Sequence, residues 1–268
     1  MSTPCPDLSV LPIREALEFL VPWVTPHVPK KLIHPHEKVS DALLISLALL
    51  RFVRKIAYFK TWWQLLTCDL QMTLCSVPQA SSRLKRLTGV IEQLACEVEH
   101  LDFAVIDSAP IPVCRYKRAS RCKFPGAQFG FGTQGKFYGV KLHAWTSLNG
   151  KVVNYRIIAG NEHDLPAGLE MNTDWEAYGG PKIIGDKGYT GSTFIVPAKS
   201  NTVNPDPRWR EEYHAARKII ESTFSSLAGR GIRYGQVKTW MSLRLKVALV
   251  ILSYNLRFLR LTSTQVNP

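Results

Sequence analysis

Residues 182–191 read KIIGDKGYTG. A short apolar run ends on a carboxylate, Asp186, followed by a lysine, two glycines and a tyrosine. A surface turn accounts for the glycines alone. The apolar run before them predicts a buried strand that ends at Asp186. A carboxylate at the C-terminal end of a strand sits at the rim of an α/β sheet, where ligands tend to bind. The fold class turns on whether the neighbouring sequence supplies the rest of such a sheet.

It does. Residues 102–108, DFAVIDS, predict a second buried strand with Asp107 near its end. Residues 136–147 alternate, with Val140, Leu142 and Ala144 on one face and Lys141, His143 and Trp145 on the other,. Asn149-Gly150 is a hairpin turn signal, and residues 151–160 form the return strand. Asp164 is placed to cap a helix reaching about Tyr178. Residues 193–199, TFIVPAK, predict a further strand. A long helix follows, with Tyr213, Ile220, Phe224 and Leu227 on one stripe and Gly229 or Gly231 at its end. A last apolar helix covers about 242–259. Residues 114–136 carry the basic run CRYKRASRCKF and then PGAQFGFGTQGK, which reads as a mobile loop,. Residues 1 to about 100 read as helical. Ser40 or Asp41 caps a helix to about Tyr58, and Pro78 starts a helix carrying Arg83, Lys85 and Arg86. Two short helices and a basic one match a helix-turn-helix or an ordinary helical bundle. The expected organisation is an α/β domain over 101–268 behind a small helical domain over 1–100.

The charge balance is the unusual bulk property. The 268 residues hold 34 Lys and Arg against 21 Asp and Glu, a formal +13. Such a surplus points to a polyanionic partner, with nucleic acid first and an anionic membrane surface second. The six cysteines form no C-x2-C pair, so the common zinc spacing is missing,. Scattered thiols fit a reducing compartment. No signal peptide is evident at the N-terminus, and the longest apolar runs are too short to span a bilayer. The expected location is the cytoplasm.

Three acids stand out by position: Asp107 and Asp186 at strand ends, and Glu221 beside the apolar stripe of the long helix. Converging carboxylates repel one another, a cost that a divalent cation between them offsets. Hard oxygen donors select Mg²⁺ or Mn²⁺. Two such ions suit phosphodiester chemistry. Arg115, Lys117, Arg118, Arg121 and Lys123 follow Asp107 closely and are candidates to hold a polyanion. Arg217, one turn before Glu221, either pairs with it or contacts phosphate.

These residues occur in order within IDSAPIPVC, YGVKLH, GNEHD, GDKGY and RKIIESTFS. Together they resemble the DDE transposases of bacterial insertion sequences, in the ribonuclease H-like superfamily that includes retroviral integrases. The resemblance covers roughly residues 102–259. It implies a ribonuclease H-like mixed sheet flanked by helices, with Asp107, Asp186 and Glu221 as catalytic and metal-binding triad. The spacings are 79 and 35 residues. It implies Mg²⁺, with Mn²⁺ as substitute and two ions bound. It implies cleavage at terminal inverted repeats, then attack of the freed 3′-hydroxyl on target DNA. It also implies a homodimer on double-stranded DNA, in the bacterial cytoplasm at the nucleoid. DNA-contact candidates are Lys141, His143, His163, Lys187, Tyr189 and Arg217, with the basic run after Asp107 and Arg83, Lys85 and Arg86. Many relatives carry a tyrosine three residues before the arginine and a lysine seven after the glutamate. Here His214 and Ala228 stand there, with Tyr213 one position early and Arg230 a possible substitute for the lysine. The alternatives are a ribonuclease H-like nuclease that cuts without joining, and a non-catalytic DNA-binding protein derived from a transposase.

Overall fold

The computed structural model describes residues 3–30, 39–71, 73–96, 101–132, 135–176, 179–198, 206–233 and 237–261. Along the chain these form β1 (Thr3–Pro4), α1 (Ile13–Val24), α2 (Asp41–Val53), α3 (Phe59–Leu70), α4 (Val77–Arg86) and α5 (Thr88–Ala95). Then come β2 (Phe103–Pro112), a 3-10 segment at Tyr116–Arg121, β3 (Gln128–Gly132), β4 (Gly135–Thr146), β5 (Val152–Ala159) and α6 (Asp164–Glu176). β6 (Lys182–Ile184), a 3-10 turn at Lys187–Tyr189, α7 (Tyr213–Gly229), α8 (Trp240–Asn255) and β7 (Arg260–Leu261) complete the order. The predicted helix end near Tyr178 lies outside the described residues.

Two compact units result. One combines Met1–Ala95 with Arg244–Pro268, and the other is Cys96–Leu243. The sequence placed a single boundary near residue 100 and kept the last helix with the sheet. In the structure, most of α8 groups with the N-terminal helices instead. Its run Val247–Leu252 is buried on every side. Such a helix needs neighbours all round, and the apolar helices of the first unit supply them. Arg244 is held by Glu92 through bonds of 2.9 and 2.6 Å, and Asn255 donates to the Ala95 carbonyl at 2.8 Å. β1 and β7 pair antiparallel. Within this unit Ser40 caps α2 by accepting from Leu43 N, and Ser76 with Gln79 forms a capping box on α4,.

The second unit is built on a five-stranded mixed sheet. β4 is central: β2 pairs antiparallel along one edge, and β3 and β5 pair antiparallel along the rest. β6 pairs parallel with β2. This is the ribonuclease H-like arrangement that the sequence led us to expect. Alternation sends Ala104, Ile106 and Trp145 to a face covered by Met171 of α6, and Val105 and Ile184 to a face covered by Tyr213, Ala216 and Ile220 of α7,. Gly231, with φ +93°, follows the end of α7 in the left-handed conformation that commonly stops a helix,.

Two expectations are corrected. Of the expected strand 193–199, residues 193–198 are described and form none; Ile195 makes only a single parallel bridge to Ile184. The glycine-rich stretch after the basic run is not a loop throughout, because residues 128–132 form β3. Gly130 serves a close approach: a Cβ there would stand 2.2 Å from the Gly160 carbonyl oxygen.

Ile220 is 1% exposed and fastens α7 to the sheet. Ile220→Ala is expected to cost about 2–5 kcal/mol, read as a lower urea midpoint with an unchanged slope.

Candidate active site

The register of β2 and β6 places two acids together. Val105 pairs with Ile184, the last residue of β6; Asp186 follows two residues beyond that strand, while Asp107 lies two residues further along β2, which continues to Pro112. The expected strand end at Asp107 is thus corrected, and the two carboxylates are brought near each other where β6 stops. Asp107 lies on the face that carries Val105, the face covered by α7, from which Arg217 approaches. Asp107 Oδ1 accepts from Ser108 N at 2.7 Å, and Asp186 Oδ1 accepts from Gly188 N at 2.8 Å. Burial pushes the Asp107 carboxyl up to about 7. The Ser108 amide lowers it, the Asp186 charge raises it, Arg217 lowers it and Asp164 raises it. The site thus holds a desolvated acid beside another acid, with too little positive charge to balance them.

Glu221 stands apart from this pair. Its side chain is 61% exposed, and its Oε1 lies 3.9 Å from Arg217. Among the described residues no three His, Cys, Asp or Glu stand close enough to hold a metal ion. Asp107 and Asp186 thus act on each other, Arg217 acts on Asp107 and lies 3.9 Å from Glu221, and the three acids do not converge. The hard oxygen donors and the charge imbalance at Asp107 fit a divalent cation.

Behind the pair lies a buried polar network that the sequence did not announce. Lys141 Nζ donates to the Glu162 carbonyl at 2.7 Å and to Asp164 Oδ1 at 2.9 Å. His143, with no exposed surface, puts Nε2 3.3 Å from the same oxygen, off the line of a good hydrogen bond. The Tyr189 hydroxyl lies 3.3 Å from His143 Nδ1. Burial raises the Asp164 carboxyl, but His143 and Lys141 outweigh it and hold the group well below the usual range. Burial, then the charges of Asp164, Asp107 and Asp186, push the Tyr189 phenol far upward, so it stays protonated. The network ties the turn after Asp186 to β4 and to the start of α6.

Several DNA-contact expectations are corrected. His143 and Tyr189 are buried, so neither reaches a nucleic acid; both position the Asp186 turn. Lys141 is occupied by Asp164 and Glu162. Arg83 donates Nε to Asp41 Oδ1 at 3.1 Å in a part-buried ion pair, which fastens α4 to α2. Lys85 is half-buried, and Arg86 is exposed. Arg115, Lys117, Arg118, Arg121, Lys123, His163 and Lys187 are exposed. The sequence assigns Asp164 to a helix cap and to the GNEHD motif; the structure adds its contacts with Lys141 and His143.

Residues 97–222 match the model of the transposase DDE domain family. The chain carries a transposase DDE domain. The matched span begins ahead of the strand that bears Asp107 and closes just past Glu221, so all three acids fall inside the DDE domain. A search of curated proteins finds no match. No helix among the described residues is long and apolar enough to cross a membrane.

The raised Asp107 carboxyl fixes a pH dependence. From about pH 4 to 7 the unfolded chain releases this proton before the folded one, so stability falls as pH rises and levels off above 7. Asp107→Asn is expected to stabilise the metal-free protein by ~2–4 kcal/mol at pH 8 and by little at pH 4. Urea unfolding in EDTA at both pH values checks this.

Proposed function

We propose that this transposase cleaves DNA at the terminal inverted repeats of an insertion sequence and joins the freed ends to target DNA, in a divalent-metal-dependent reaction. The observation that carries the proposal is the approach of Asp186, just past the end of β6, to Asp107 on the parallel strand β2, with a desolvated carboxyl that Arg217 offsets only in part. Asp107, Asp186 and Glu221 would hold Mg²⁺, or Mn²⁺ in its place, as two ions, which would supply charge stabilisation for an in-line displacement at phosphorus.

The chain's own residues do the rest. Glu221 would complete the donor set with Arg217 turned from it to the DNA backbone, an exchange that a part-exposed pair separated by 3.9 Å permits at small cost,. The Lys141–Asp164–His143–Tyr189 network holds the Asp186 turn rigid while the charge of the site changes. Arg115, Lys117, Arg118, Arg121, Lys123, His163 and Lys187 line the path of the DNA backbone. In the N-terminal helices, Arg86 and Lys85 on α4 face DNA as part of a helix-turn-helix, and Arg83 keeps that helix in place. Water opens a phosphodiester at each element end and leaves a 3′-hydroxyl, which then attacks a target strand. Two ends cut in concert call for a homodimer on the DNA, in the bacterial cytoplasm at the nucleoid.

Asp186→Asn is expected to lower strand transfer at least 100-fold with DNA affinity unchanged. A plasmid assay with the element's own ends in Mg²⁺, run beside a gel-shift titration, reads both. Normal transfer by the variant overturns the assignment. Mn²⁺ should raise the melting temperature of the wild type and leave that of Asp107→Asn/Asp186→Asn unmoved. DNA affinity should also fall steeply between 50 and 200 mM salt, because Lys and Arg contacts release counterions.

A further inference from the structure

Three large aromatic side chains stand in solvent on the second unit. Phe131 is 74% exposed, Phe129 53% and Tyr116 47%. They form one group. The Tyr116 ring meets Phe129 edge-on at 5.8 Å, and Phe129 lies 4.9 Å from the ring of Tyr138. Phe129 pairs across the hairpin with Tyr138, and Phe131 with Lys136. Directly paired residues share a face, so Phe129, Phe131, Tyr138 and Lys136 point the same way. A groove of about 540 Å³ opens beside them, walled by Phe129, Phe131, Lys136 and the loop Asn161–His163.

The register carries this face to the active site. Asp107 pairs with Ala144, and Ala144, Leu142, Val140 and Tyr138 alternate down β4 on one side. The aromatic group therefore lies on the same face of the sheet as Asp107, six residues along β4. That is roughly 20 Å, or about six nucleotides of a stacked strand. The basic segment shares this face, since the Tyr138 hydroxyl donates to the Cys122 carbonyl at 3.4 Å.

Charge says what covers the patch. Between Asp107 and Glu162 the sequence has no Asp or Glu and nine Lys or Arg. An exposed apolar patch rimmed mainly by cations, with Glu162 the one acid among the groove-lining residues, suits neither a lipid core nor a neutral protein surface. It suits a chain of phosphates that also presents flat apolar faces. Two rings at alternate strand positions stand roughly 6.8 Å apart, twice the ~3.4 Å step of stacked bases, which leaves room for one base between them.

We propose that the β3–β4 hairpin stacks unpaired bases of the DNA strand that passes Asp107, with Phe129, Phe131 and Tyr116 against the bases and Lys136, Arg115 and Lys117 against the phosphates. The inference rests on the DNA reading given above. It adds that the enzyme grips DNA opened near the cut, not duplex alone. Aromatic stacking gives sequence-tolerant affinity for single strands, whereas phosphate contacts serve duplex and single strand alike.

The test compares wild type with Phe129→Ala/Phe131→Ala by fluorescence anisotropy. The probes are a labelled 20-nucleotide oligothymidylate and a labelled 20-base-pair duplex, at one salt concentration. The double variant is expected to bind the oligothymidylate about 30-fold more weakly and the duplex within about twofold of wild type. Phe129→Trp/Phe131→Trp should restore single-strand binding, and Arg115→Ala/Lys117→Ala should weaken both probes and flatten the salt dependence. Equal single-strand affinity of wild type and the alanine variant overturns the stacking role while leaving the DNA reading intact. Wild type that binds neither probe overturns both. A concentration-dependent dimer in sedimentation, dissolved by the alanine substitutions without loss of single-strand affinity, overturns stacking and assigns the patch to a second copy of the chain.

Discussion

Three parallel Cα pairs, Phe103 with Lys182, Ala104 with Ile183 and Val105 with Ile184, hold side by side two strands that the chain separates by the whole β3–α6 excursion. On one face Val105 and Ile184 are sealed by Ile220 and Ala216 of α7; on the other Ala104, Ile106 and Ile183 are sealed by Met171 of α6. Once the apolar residues are clamped this way, the strands have no freedom beside them. Asp107 and Asp186 are brought near each other where β6 stops. Their proximity is a consequence of register, and their electrostatic conflict a consequence of the hydrophobic packing just beneath them. Core burial thus sets the charge state of the site: the same desolvation that fixes the strands pushes Asp107 up to about 7,.

The buried polar network works against this frustration. A protonated Tyr189, a buried His143 and an ionised Asp164 tied to Lys141 form a linked chain in which His143 Nε2 approaches Asp164 without a well-directed hydrogen bond. Buried polar groups are costly unless partnered, and rigid when they are. The turn after Asp186 is consequently held from below by Tyr189 and closed from within by the Gly188 amide. Asp186 is held in its turn, whereas Glu221 is exposed on α7.

Much of this was legible in the sequence. The alternation in 136–147 and the Asn149-Gly150 turn predict the hairpin that the structure shows as β4 and β5. The stripe on α7 is buried at Tyr213, Ile220 and Leu227, because a period of 3.6 leaves those side chains one direction to face,. The ends of apolar runs mark Asp107 and Asp186. Other features were hidden for physical reasons. Residues 128–132 look like a loop because glycine is both a loop former and the residue that allows strand backbones to approach closely. His143 and Tyr189 look like DNA contacts because residue type does not report burial. Arg83 looks like a free cation because its partner, Asp41, lies 42 residues earlier.

By itself the sequence determined the periodicities, the ends of the apolar runs, the cationic surplus and the ordered acids, and hence the DDE domain. These depend on neighbours within a few residues along the chain, or on totals. The tertiary structure decided everything that depends on which surfaces meet. It joined most of α8 to the N-terminal helices, because a helix that is apolar all round must be enclosed and sequence order does not say by what. It turned His143, Tyr189 and Lys141 inward as supports for the Asp186 turn. It placed the aromatic hairpin on the face of Asp107, because a strand's alternation fixes which residues share a side, and only pairing carries that side from one strand to the next.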